Sequence, residues 1–295
     1  MLVGYRRNHH YVPEFLLRQW SVRKETGDDV LLAYSWSSHK AEVALKSNLG
    51  PSGYCYGRDL LTLPDHPLGQ DHLECGHFEE IDRLGSNAHL KLLSDGVEGV
   101  SREQKEEFVK FLLSLEARRP DVLSRIRTSG VAGIKQQLDD DVEIKSELAR
   151  FGTDESPTQF YEKTVGSVEN ETVSTVVEYL TEDSIGLPAA MNSYWGIKKF
   201  SGSLKLVLSD RPLIRHGVSG AKNSFWALPL SPDKLLILSP SDHVFHSLIS
   251  RSPGELVRKA NISSVSNCDR YVFGTSWYDQ RWLKKLFDQR GPHAQ

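Results

Sequence analysis

Apolar positions recur along this chain with two periods, and the change from one to the other divides it. Near the start, Pro13 opens an apolar run. Phe15, Leu16 and Trp20 fall near one face of a short helix over 13–20, and Arg18 falls off it. "VLLAYSW" and "KAEVAL" then read as two strands joined by the polar "SSH". Residues 46–70 hold Gly50, Pro51, Gly53, Gly57, Pro64, Pro67 and Gly69, which predicts a long irregular segment of the kind that often carries function. Next, "HFEEIDRLGSNAHLKLL" sets Phe78, Ile81, Leu84, Ala88 and Leu92 at helical spacing, with Gly96 past its end. "SREQKEEFVKFLLSLEARRP" is the clearest helix: Ser101 and Gln104 make a capping-box pattern, and Phe108, Phe111, Leu112 and Leu115 make the stripe. Pro120 either ends that helix or begins the next. Residues 121–150 read as helix interrupted at Gly130 and Gly133, "DDDVEIKSE" as a solvated acidic face, "FGTDESPTQ" as a loop, and "VSTVVEYL" as helix again.

After Pro188 the period shortens. "SYWGIKKF", "LKLVLSD", "FWALPLS" and "KLLILSP" read as consecutive strands, the last two joined by a tight "SPDK" turn. Their connections are too short for helical crossovers, which predicts one mainly antiparallel sheet between 193 and 238. Helices over about 241–249 and 253–262 follow, then the strand "RYVFG" and an amphipathic helix with Trp282, Leu283, Leu286 and Phe287. Strands and helices do not alternate regularly, so a doubly wound parallel sheet is disfavoured. The pattern predicts an α+β fold in one domain over 1–295: short N-terminal strands, a central helical bundle, and a C-terminal mainly antiparallel sheet with flanking helices.

Composition narrows the partners. In 295 residues, 36 Lys and Arg against 39 Asp and Glu leave a net charge of −3, so no global basic field for nucleic acid exists, although a local patch is compatible with it. Three cysteines, Cys55, Cys75 and Cys268, are too few and too scattered for a disulfide framework, which points to a reduced cytoplasm. The N-terminus carries arginines but no apolar signal region, and no stretch approaches the roughly 18 apolar residues of a membrane span, so no membrane partner is expected. There is no GxSxG, P-loop, GxGxxG or kinase motif set, which weakens lipase-type, NTP-driven and dinucleotide readings.

One block resembles something known. "HHYVPEFLLRQWS" is similar to the opening signature of a mainly bacterial family of unknown function, domain-of-unknown-function family four-two-three-eight, in which a His-aromatic-aliphatic-Pro block leads to Leu-Arg and an aromatic. "YCYGRDL", "FVKFLLSLEARRP", "LVLSDRPLI", "LPLSPDKLLIL" and "NISSVSNCDRYVFG" resemble its further elements in the same order. The resemblance spans almost the whole chain but brings no assigned activity. By position it implies His10, Arg18, Arg119, Ser209, Asp210 and Asn261 as the polar signature residues, with Glu74, Glu79, Glu80 and Asp82 competing for its acidic helix position. His10 alone, and not His9, stands at the signature spacing.

Each of these residues has two readings. His10 is either a general acid–base group or metal ligand, since imidazole titrates near neutrality, or a structural ring bonded to a backbone carbonyl at the helix start. Arg18 and Arg119 either clamp a phosphate or carboxylate, or pair with Glu14, Glu116 and the acidic helix. Arg118 is expected to be solvated. Asp210, after a strand, either orients His10 or binds a metal, or simply bonds turn N–H groups. Cys55, His66, His72, Cys75 and His77 bring zinc into consideration, against a spacing that matches no standard site. "WYDQRWLKKLFDQR" offers a nucleic-acid contact or, more simply, an amphipathic helix docking its aromatic face. Two functions follow. One is a hydrolase or nuclease-like effector on a phosphate-containing substrate, nucleic acid or nucleotide, in a bacterial phage-defence or toxin setting. It would use His10, Asp210 and Glu79 in catalysis, Arg18, Arg119 and Asn261 in binding, and a divalent metal ion as a conceivable cofactor. The other is a non-enzymatic binding or regulatory module in which the signature is a structural network.

Overall fold

The computed structural model describes residues 7–37, 42–203, 205–275 and 280–288. The N-terminal part holds β1 (Asn8–His10), α1 (Glu14–Leu17), β2 (Ser21–Arg23), β3 (Asp29–Ser37), β4 (Glu42–Lys46) and β5 (Tyr56–Arg58). Helices fill the middle: α2 (Glu79–Ser94), α3 (Arg102–Ala117), α4 (Pro120–Arg125), α5 (Val131–Asp140), α6 (Val142–Arg150), α7 (Pro157–Thr164), α8 (Val168–Glu182) and α9 (Gly186–Met191). The C-terminal part runs β6 (Tyr194–Lys199), β7 (Leu208–Ser209), β8 (Ile214–His216), β9 (Phe225–Ser231), β10 (Lys234–Ser239), α10 (Asp242–Ile249), α11 (Pro253–Asn267), β11 (Tyr271–Gly274) and α12 (Gln280–Asp288). The fold is α+β, as the periodicity predicts. The "SSH" linker lies mostly outside the described residues.

The strands form two larger sheets rather than one C-terminal sheet. β6, β10, β9 and β8 pair antiparallel in that order, with "SPDK" turning β9 into β10. β7 leaves this set and pairs with β11, which pairs with β3, which also carries β2 and β4. The stretch "LKLVLSD" therefore contributes only two residues of strand. Buried Asn261 on α11 holds the segment before it instead, accepting from the Val207 N–H at 3.0 Å and donating to the Lys205 carbonyl at 2.9 Å.

Both sheets are covered on both faces, and strand alternation sorts the side chains. In β3, Leu31 and Ala33 join the central core while Leu32 and Tyr34 join a second core with Val265, Cys268, Leu283 and Phe287. In β9 and β10, Leu228, Leu230, Leu236 and Leu238 face the central core, and Ala227, Leu235 and Ile237 face a third core under α10 and α11. That two-sided burial is why "FWALPLS" and "KLLILS" read as nearly continuous apolar runs.

Helix α3 is the axis of the central core. Its capping box forms as expected, and Phe108, Val109, Phe111, Leu112, Leu113 and Leu115 are all buried, so its C-terminal half is enclosed while Glu103 and Glu106 in its first half face solvent. Gly85 of α2 lets the two helices close up, since a Cβ there would stand 2.6 Å from the Phe111 Cβ. Pro120 starts α4, and Arg119 before it is forced extended (φ −64°, ψ 138°). Two local expectations change: the last three residues of the expected loop, 157–159, begin helix α7, capped by Ser156, and α2 is preceded by a π-helical turn, His72–Phe78.

Candidate functional site

The N-terminal block is pinned to the irregular segment. β1 pairs with β5, placing His9 opposite Gly57 and His10 opposite Tyr56, and the Tyr11 N–H extends the ladder to the Cys55 carbonyl at 2.8 Å. Strand alternation then separates the two histidines. His9 is fully buried and its Nδ1 accepts the Leu61 N–H at 2.8 Å. His10 turns to the other face and remains partly open. Pro13 stands just ahead of α1, whose single turn tightens into a 3₁₀ turn at Arg18–Trp20. This compact geometry lines up three residues four apart: His10 Nε2 lies 3.9 Å from Glu14 Oε1, and Arg18 donates to Glu14 Oε2 at 3.0 Å. Glu14 therefore stands between the imidazole and an exposed guanidinium, bonded to the guanidinium.

His10 combines features of an acid–base group. Burial lowers its pKa below the ordinary imidazole value, against an upward pull from Glu14 and from a hydrogen bond to the Ser52 backbone. That bond favours the protonated ring, so it is a donation to the carbonyl. Nε2 is buried and has no hydrogen-bond partner among the described residues, so Nδ1 makes the Ser52 bond. The neutral ring is thus fixed in one tautomer with the Nε2 lone pair unused. Tyr56 packs edge-on at 5.9 Å between ring centroids and limits rotation.

An ion pair of buried Arg118 and half-buried Asp82 acts on His10 with both charges: Arg118 lowers its pKa and Asp82 raises it. Arg118 is only 1% exposed. It grips Asp82 with both terminal nitrogens at 2.9 and 2.5 Å, donates to Ser114 Oγ at 2.6 Å, and lies over the Phe78 ring at 4.7 Å. The expectation that Arg118 is solvated is therefore incorrect. The turn at Pro120 sends Arg118 inward and Arg119 away, where Arg119 forks onto Asp121 at 3.0 and 2.7 Å and reaches Glu116 at 3.0 Å. A signal for this was present in the sequence: continuing the α3 stripe one heptad from Phe111 lands on Arg118.

The other predicted residues stand elsewhere. Asp210 is buried at the start of β11, accepting the N–H groups of Asp269, Arg270 and Tyr271 at 2.7, 2.6 and 2.8 Å. Burial pushes its carboxyl up to about 6 against those three bonds. Ser209 Oγ donates to the Arg211 carbonyl at 2.7 Å. Asn261 is held by the backbone bonds described above. Glu79 is exposed on the first turn of α2, and Asp82 is the acidic helix residue whose charge reaches His10.

The histidine-rich loop gathers three of its histidines against α8, with the His66 and His72 rings stacked at 5.0 Å between centroids, but its two cysteines stand apart from them. Cys55 is buried and hydrogen-bonded to Tyr11, while Cys75 is exposed. The π-helical turn puts His72 and His77, five residues apart, towards α8, where His72 Nε2 meets Glu178 Oε1 at 3.0 Å and His77 Nε2 meets Thr181 Oγ1 at 2.8 Å. Among the described residues no group of three His, Cys, Asp or Glu side chains is placed to hold a metal ion. Nor, among the described residues, is any helix long and apolar enough to cross a membrane.

The sequence matches the profile of a family described as protein of unknown function (DUF4238) over residues 8–277. No curated protein and no solved structure matches it.

Proposed function

The chain belongs to the DUF4238 family of proteins of unknown function, and from its own geometry we propose that it is a hydrolase of phosphate-containing substrates in which His10 transfers the proton. The observation that carries this reading is the unpartnered Nε2 of a neutral, tautomer-fixed imidazole beside a surface arginine. Arg18 is the anion-binding group, because it is two-thirds exposed and, among the described residues, held through Glu14 alone. A phosphate that draws Arg18 away releases Glu14 and uncovers Nε2. His10 then takes the proton of the attacking water or hydroxyl as the new P–O bond forms, and the leaving oxygen is protonated from solvent. Asp82 and Arg118 are positioning residues whose charges act on the ring. Asp210, Asn261 and Arg119, named from the sequence, are not needed for this chemistry.

A screen against RNA, DNA and nucleotides, with and without Mg²⁺, Mn²⁺ or Zn²⁺, tests the proposal. Cleavage by the wild type should fall by about 10²-fold or more in His10→Ala, with only a small change in melting temperature. Activity should fall as pH drops below the ordinary histidine range. Glu14→Gln should move that acid limb lower still, because Glu14 raises the His10 pKa. The proposed phage-defence or toxin setting is checked by phage challenge of cells expressing wild type or His10→Ala. A second reading, the non-enzymatic module, draws on the saturation of Arg119, Asp210 and Asn261 by protein partners. It takes over if the wild type cleaves nothing and His10→Ala simply destabilises the fold.

A further inference from the structure

On the far side of the four-stranded sheet, α10 and α11 do not close fully on the strands. A cavity of about 400 Å³ remains, within the range of small-molecule sites. Its walls are apolar: Ala227 and Ile237 from the sheet, Leu256 and Ala260 from α11. The small side chains of Ala227 and Ala260 help leave the space that larger residues would fill. Its polar lining is cationic or neutral, with Arg251, Lys259, His216 and Ser263 and no carboxylate. Glu255 lies outside the lining and pairs with Lys259 at 3.0 Å and with Arg251 at 3.7 Å. Two cations against one carboxylate leave, among the described residues, one positive charge uncompensated beside an apolar chamber.

We infer that this cavity binds a small amphiphilic monoanion, an aliphatic chain ending in a carboxylate, with the chain between sheet and α11 and the carboxylate on Arg251 and Lys259. Both halves of the ligand have a partner. The chain removes the apolar walls from water, and the carboxylate takes the charge that Glu255 leaves over. An alkylamine of equal length would place its charge against two cations. This site is independent of His10, which lies among other elements.

Isothermal titration of the full chain with octanoate, decanoate and dodecanoate, all below their micellar concentrations, tests the inference, with decylamine and decanol as controls. Saturable one-to-one binding should strengthen by about fourfold per methylene until the cavity is full. Decylamine should bind at least tenfold more weakly than decanoate. Lys259→Glu, on a half-exposed side chain, should keep the melting temperature and weaken decanoate by tenfold or more. Ala227→Leu should abolish binding by filling the chamber, with circular dichroism confirming the fold. Absence of saturable carboxylate binding, equal binding of amine and carboxylate, or an unaffected Lys259→Glu would each overturn the inference.

Discussion

The N-terminal row and the β7–β11 junction draw on the same kinds of residue and use them in opposite ways. At the junction, the Asp210 carboxylate meets three backbone N–H groups, so its accepting capacity is spent on holding the chain. In the row, among the described residues, His10 has one ring nitrogen engaged and the other unused, and Arg18 is tied to its neighbour Glu14 alone. The difference lies in the local backbone. A strand beginning next to Asp210 presents three donors to its carboxylate, whereas among the described residues no donor meets the His10 Nε2, and Arg18 finds its acceptor in the Glu14 side chain. A polar side chain buried among unpaired backbone groups becomes structure; one left between elements retains its chemistry.

The largest expected effect is at the junction. Asp210→Ala removes the acceptor of three N–H groups, that of Tyr271 buried and those of Asp269 and Arg270 partly so, and should lower the free energy of unfolding by about 4 kcal/mol in urea titration, against about 1 kcal/mol or less for His10→Ala. Equal losses would erase the distinction between the two regions. The next test contrasts two adjacent arginines. Arg118→Ala leaves Asp82 partly buried without its partner and should cost about 3–5 kcal/mol, while Arg119→Ala, on a partly exposed network, should cost about 1 kcal/mol. Chemical denaturation of both variants measures the gap, and a reversed order would move the structural ion pair to Arg119.

The smallest effect is a difference in sign with pH. The His10 pKa is lowered in the fold, so its contribution is complete above the ordinary imidazole value near 6.5 and is lost as pH falls through the folded value. Buried His89, lowered to about 4 by burial and bonded through Nε2 to the Leu230 carbonyl at 2.9 Å, acts in the same direction between about 6.5 and 4. Asp210 acts oppositely. Its folded pKa of about 6 exceeds the ordinary value of 3.8, so it adds stability as pH falls through that window. From pH 7 to pH 5 the melting temperature of His89→Leu should therefore fall less than that of the wild type, and that of Asp210→Asn should fall more. Parallel curves for all three proteins would remove both assignments.

Much of the architecture was readable in the chain because its causes are local. The capping box of α3, the apolar stripe of α2 and the "SPDK" hairpin depend on residues within a turn or two of one another. The family signature likewise marked His10 and Arg18, which the structure places in one row. The α7 start was missed although Ser156, Pro157 and Gln159 carry the same capping logic, because the loop residues before them dominate the window.

The sequence by itself determined the periods, the caps and the N-terminal row, since these follow from 3.6-residue and two-residue geometry acting over short spans. Only the tertiary structure decided that β7 joins β11 instead of β6, that Asp82 and not Glu79 acts on His10, and that Arg118 is buried while Arg119 faces Asp121. Each of those outcomes depends on a partner tens of residues away or on the rotation of a helix end at Pro120. Strand pairing and burial are settled by the sum of contacts across the core, and no local pattern records that sum.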